Sequence, residues 1–222
     1  TKIGAYARFA KGLLLDDQGM GAKRDTKKLI NEIKSFAPDI IHLHNIHGYY
    51  LNLKMLFTFL SEAKIPVVWT LHDCWAFTGH CAHFDFAGCE RWQMGGCHDC
   101  PNKKSYPPSL VLDRSERNFR LKKELFTSVK DMTVVTPSDW LRALAEKSFL
   151  GKYRTVTVNN GTDLSVFMPT KICPKTSMSS HPRSLADSIL TSLASVLSVT
   201  ALPRTDMRII PLPTPYPYQL KI

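Results

Sequence analysis

Asp39-Ile-Ile-His-Leu-His-Asn45 and, one helix further on, Pro66-Val-Val-Trp-Thr-Leu-His-Asp73 decide the fold. Each is a short apolar run that ends in polar residues. Between them, Tyr49–Lys64 carries Leu53, Leu56, Phe57 and Leu60, apolar around most of a helical surface, which marks a buried helix. The second run is β-branched and continuous, as in a strand covered on both faces. Upstream, Ala22–Phe36 sets Leu29, Ile33 and Phe36 on one helical face. Downstream, Asp113–Thr127 reads as a charged helix and Met132-Thr-Val-Val-Thr136 as a third strand. Ser138 caps a helix carrying Leu141, Leu144 and Phe149, with Asp139 favourably placed in its first turn. Arg154–Val158 is a fourth strand and runs into the turn signal Asn159-Asn160-Gly161. This alternation predicts an α/β domain with a parallel sheet, flanking helices and right-handed crossovers.

The composition is that of a globular chain. Of 222 residues, 44% are apolar and 22% charged, which excludes a disordered or fibrous protein. No run of about 18 apolar residues suggests a spanning helix. The N-terminus carries no secretory pattern, and without an initial Met the chain reads as trimmed or incomplete. The net charge of +10 admits nucleic acid, anionic lipid or phosphorylated substrates as partners. Composition breaks near Pro169. All 11 Gly lie at or before Gly161, whereas 171–222 lacks Gly, Phe, Trp and Glu and holds seven Pro and eight Ser. Residues 1–169 are therefore expected to form the organised domain, and 170–222 a Ser/Pro-rich tail, poorly ordered or non-native. Within it, Leu185, Ile189, Leu193 and Val196 fall at helical spacing, and Pro211–Pro217 is Pro-rich. An amphipathic anchor, a Pro-rich ligand segment and a reading-frame slip all fit, the slip best.

Open parallel sheets bind ligands at the carboxyl ends of their strands. Here those ends carry His42, His44 and Asn45, then His72 and Asp73, then Thr136 and Ser138. Strand alternation puts His42 and His44 on one face, opposite Leu43. Imidazoles placed there can donate to a phosphate or a sugar hydroxyl and titrate near neutrality. Two readings stand: ligand-facing histidines, or buried ones satisfied by backbone.

These segments, together with Val134-Val-Thr-Pro-Ser138 and Val158-Asn-Asn-Gly-Thr-Asp163 before Phe167 and Pro169, come in the order and spacing of family 4 glycosyltransferases. The chain resembles the bacterial exopolysaccharide and colanic acid branch, over roughly residues 10–169. Trp75-Ala-Phe-Thr-Gly-His-Cys81 and Cys97-x-x-Cys100-Pro101 belong to that resemblance. It implies two Rossmann-like domains in a GT-B arrangement. The N-terminal one binds a saccharide or lipid-linked acceptor, the C-terminal one a nucleotide-sugar donor. Transfer proceeds with retention and without a catalytic metal. On this resemblance His72 is the acceptor-side histidine that touches the transferred sugar or the donor phosphate, with Asp73 orienting its loop. His42, His44, Asn45 and Ser138 are candidates for acceptor recognition, and Asn160-Gly161 is the hinge to the second domain. The family's Gly-rich loop would fall upstream of Thr1. Its two donor-gripping Glu have no counterpart in 171–222, which holds none. The expectation is a partial, acceptor-side domain that is inactive alone, cytoplasmic, and peripheral at the inner face of the plasma membrane. An inactive, degraded gene product is the further alternative.

Residues 74–108 interrupt the rhythm with a Cys-rich insert. Cys81, Cys89, Cys97 and Cys100 give C-x7-C-x7-C-x2-C, a set that suits structural zinc, with His80, His83 and His98 as substitutes. Unligated thiols in a loop are the other reading. Arg114, Arg117, Arg120, Lys122 and Lys123 make the following helix basic, as a membrane-facing patch or as ordinary surface charge. A zinc-stapled nucleic-acid module is the alternative function. It lacks a recognition helix and a stacking platform, so nucleic acid is not expected as a partner.

Overall fold

The computed structural model describes residues 2–161, 199–202 and 208–210. The chain opens with α1 (Lys2–Leu15) and α2 (Lys23–Phe36). It then alternates β1 (Ile40–Leu43), α3 (Leu53–Glu62), β2 (Val67–Thr70), α4 (Ser115–Phe126), β3 (Met132–Thr136), α5 (Asp139–Lys147) and β4 (Arg154–Thr157). Two further strands, β5 (Val199–Leu202) and β6 (Arg208–Ile210), complete one sheet in the order β4-β3-β2-β1-β5-β6. The first four pair in parallel and stand side by side in chain order, as the alternation predicts. β5 joins β1 antiparallel, with Ile41 opposite Ala201. Neither β5 nor β6 was among the expected elements, and nor was α1. The helical spacing from Leu185 to Val196 lies outside the described residues.

Strand periodicity sorts the side chains. Ile41, Leu43, Val67, Trp69, Met132 and Val134 are buried on one face. His42, Val68, Thr70, Thr133 and Val135 stand on the other and are only half-buried. β2, expected to be covered on both faces, carries Val68 and Thr70 on its second face, neither fully buried, so that face keeps some contact with water. Trp69, Phe57 of α3 and Phe126 of α4 form the aromatic centre, with ring centroids 4.5 to 5.7 Å apart. Burying each such ring stabilises the fold by roughly 2–3 kcal/mol.

Caps set the helix limits. α3 begins later than its apolar pattern because Asn52 Oδ1 accepts from Met55 N at 3.0 Å, while Asn52 Nδ2 donates to Met20 O at 2.8 Å. Ser138 Oγ accepts from Leu141 N at 3.3 Å and starts α5 as expected. Phe149, expected on that helix, instead opens a separate 3-10 turn, capped by Ser148 Oγ accepting from Leu150 N at 3.1 Å. Between β2 and α4 the insert holds two 3-10 turns, Trp75–Phe77 and Asp85–Ala87, and no longer element. No helix among the described residues is long and apolar enough to cross a membrane.

Candidate active site at the strand ends

β1 and β2 are neighbours, so the residues that follow them meet. His44 Nδ1 and His72 Nε2 are 3.1 Å apart and share one hydrogen, and the rings lie nearly parallel at a 5.4 Å centroid distance. His42 packs on His44 at 4.3 Å and pairs through Nε2 with Thr70 Oγ1 at 2.8 Å. Trp69 Nε1 donates to His44 O at 3.0 Å and fixes the backbone of that segment from the core side.

A cleft of about 200 Å³ opens beside the pair, lined by His44, Asn45, His47, His72, Asp73 and Trp75, among others. Asp73 is a fixed element of its wall. Its Oδ2 accepts from His47 Nε2 at 3.0 Å and its Oδ1 from Trp75 N at 2.9 Å. Burial alone would raise the Asp73 carboxyl. The bonds from His47 and the Trp75 amide outweigh burial and hold it below the usual carboxylate value.

The imidazoles are arranged to stay neutral. Partial burial first, then the neighbouring His42 and His72, push His44 down to about 4. His42 is lowered by burial and by His72. His72 keeps one edge in water, but loss of water on its other side lowers it against the opposite pull of Asp73. Two protonated rings would point N–H at N–H across the 3.1 Å contact, so the pair carries at most one charge. At neutral pH the site offers hydrogen-bond donors and acceptors on an otherwise uncharged ridge, beside an ionised, structurally tied Asp73.

The other predicted residues are distributed as follows. Asn45 lines the cleft, and its carbonyl accepts from the Tyr50 hydroxyl. Ser138 does not line it; its hydroxyl is engaged in capping α5. Asn160 and Gly161 are exposed beyond the end of β4. Cys81, Cys89, Cys97 and Cys100 line a second cavity, within the insert.

Sequence reading missed three residues. His47 reaches Asp73; the only signal was its position as a third His after His42 and His44. Asp16 is buried and accepts from His80 Nδ1 at 2.7 Å and Arg114 N at 3.0 Å, joining α1 to the insert and to the start of α4. Lys122, read as part of a basic surface, is instead 2% exposed. Its Nζ donates to Trp75 O at 2.8 Å and Thr78 O at 3.0 Å and lies 3.4 Å from the centroid of the Trp75 ring. Burial draws its ammonium down to about 7, opposed by Asp16, Cys97, Cys81 and Asp73. Lys122 thus pins the loop that carries Asp73 and Trp75.

The parallel sheet and the polar ridge at its strand ends define an α/β domain with a candidate site at the carboxyl edge of its sheet, and comparison with known proteins gives its class. The profile of Glycosyltransferase Family 4 matches residues 12–166, so the chain belongs to that family. A protein of Escherichia coli (strain K12) named as a colanic acid biosynthesis glycosyl transferase, WcaC, is 36% identical over 139 residues, covering 60% of this chain and 33% of its own. The chain thus spans about a third of the length of that relative. No solved structure matches.

Proposed function

We propose that this chain furnishes the acceptor side of a retaining glycosyltransferase, in a two-domain GT-B arrangement, acting in colanic acid or related exopolysaccharide synthesis. The observation that supports it is the juxtaposition of His44 and His72 over a small cleft at the carboxyl ends of two adjacent parallel strands. His72, exposed at the rim, contacts the transferred sugar or the donor phosphate. The leaving diphosphate gains charge in the transition state, and a fixed donor aimed at it is worth roughly 3 kcal/mol. His42, His44 and Asn45 recognise acceptor hydroxyls. Asp73, tied to His47 and the Trp75 amide, positions the loop rather than transferring protons. The nucleotide-sugar is gripped by a facing domain, and Asn160-Gly161 leads toward it. The acceptor is a saccharide or lipid-linked saccharide, taken up in the cytoplasm at the inner face of the plasma membrane. No catalytic metal takes part.

The test is titration of the 222-residue chain with oligosaccharide and polyprenyl-linked acceptors, and separately with UDP-sugars, read by the histidine C–H resonances. The expected result is a shift of the His44 signals by an acceptor, a loss of about tenfold or more in acceptor affinity in His44→Ala, and no UDP-sugar turnover by the chain alone. Turnover by this chain alone, or acceptor binding unchanged in His44→Ala, overturns the reading.

A further inference from the structure

The insert between β2 and α4 has a composition the sugar site does not use. Cys81, Cys89 and the Cys97–Cys100 pair come from different parts of a loop with little regular structure, yet all four line one cavity. Phe84, Trp92 and Thr78 wall the same cavity, together with Arg91 and His98. Cys81 and Cys100 lie close enough for each side chain to act on the other. A third has its sulfur engaged, because Gly79 N donates to Cys97 Sγ at 3.1 Å. Gly79 has no substitute there. A Cβ would lie 2.7 Å from Cys97 Cβ and 2.1 Å from Ser115 O. Cys97 and Cys100 leave the knuckle Gly95-Gly96, both at positive φ, which lets a C-x2-C pair turn its sulfurs to one side.

We propose that these four cysteines bind one zinc ion as a structural tetrathiolate site. Each thiol that joins gives its proton to solvent, so one Zn²⁺ and four S–H become a ZnS4 centre of net charge −2 and four released protons. The chain holds cations for that charge. Lys122, buried and without a carboxylate in salt-bridge contact, acts electrostatically on both Cys81 and Cys97, and Arg91 lines the cavity. Among the described residues, no three His, Cys, Asp or Glu stand ready-made around one point. Closing on the metal requires rotation of thiols between staggered wells, a small change beside the affinity of four thiolates for zinc. Cys74, also buried, does not line the cavity and is not a ligand. The bound ion ties the loop leaving β2, through Cys81, to the approach to α4, through Cys97 and Cys100.

The test uses the full chain, expressed with zinc and passed through gel filtration, and elemental analysis as the readout. One zinc per chain is expected, in the unaltered protein and in Cys74→Ala, with thiolate-to-metal charge-transfer bands when Co²⁺ replaces it. Cys100→Ser is expected to bind zinc at least about 100-fold more weakly, more than the loss that follows removal of an outer hydrogen-bond partner. Because that variant can misfold, the unaltered chain decides by itself. Zinc no higher than in a zinc-free control protein, with Cys81, Cys89, Cys97 and Cys100 alkylated as readily with zinc present as with a chelator, overturns the proposal. So does a Cys81–Cys100 disulfide in protein that has been offered zinc under reducing conditions. Neither result touches the sugar-site reading, which rests on other residues.

Discussion

Across the strand ends, the imidazoles of the cleft are all partnered: His42 with Thr70, His44 with His72, His47 with Asp73. Beneath the insert, His80 Nε2, Trp92 Nε1, Ser115 Oγ and Asn118 Oδ1 are buried with no partner among the described residues. The sheet is held by a ladder and a core whose contacts repeat strand by strand, so its stability is spread thin over many residues. The insert adds Trp75, Phe77, Phe84 and Trp92 to the same core, and its long-range polar contacts are gathered at two side chains, Lys122 and Asp16. The difference teaches where a single substitution will matter.

The largest effect is expected at Lys122. Lys122→Met keeps the bulk but strands the carbonyls of Trp75 and Thr78, for a loss of about 3 kcal/mol in urea unfolding. Asp16→Ala removes the acceptor for His80 Nδ1 and Arg114 N, with a loss of about 2 kcal/mol by the same measurement. On the sheet side, Ser138→Ala removes the α5 cap and is expected to cost about 1 kcal/mol. If Ser138→Ala matches Lys122→Met, the contrast between the two regions is broken. The smallest effect sharpens the contrast from the side of the cleft. His44 titrates near 4 when folded and near its ordinary 6.5 when unfolded, so between those values the unfolded chain binds more protons. The contribution of the histidine ridge is full above about 6.5 and is lost as pH falls toward about 4. The melting temperature should therefore decline across that window, and His44→Phe should flatten the decline. A steeper decline in the variant would contradict the neutral ridge.

Much of the sheet was legible because β1, β2 and β3 are short apolar runs bounded by Pro38, Pro66 and Asp131, and because Ser138 announces a helix by itself. His44 and His72 were legible as a pair because adjacent parallel strands bring their ends together. Lys122 was not, since a lysine among Arg117, Arg120 and Lys123 looks like surface. Its burial is set by where α4 meets Trp75, a contact across 47 positions of sequence. Asp16 was hidden for the same reason, with Arg114 98 positions away. β5 and β6, of four and three residues, are too short for periodicity to detect, and they gain their order only by pairing beside β1.

Lys122 and Asp16 have one more consequence. They stitch together the two ends of the excursion between β2 and α4, Lys122 gripping its departure at Trp75 and Thr78, Asp16 its return at Arg114. A loop closed at its neck can be lengthened, shortened or exchanged with little added closure entropy and without moving the strands below. Evolution, or an engineer, is thus free to rewrite the crown of this domain while His44 and His72 stay in register.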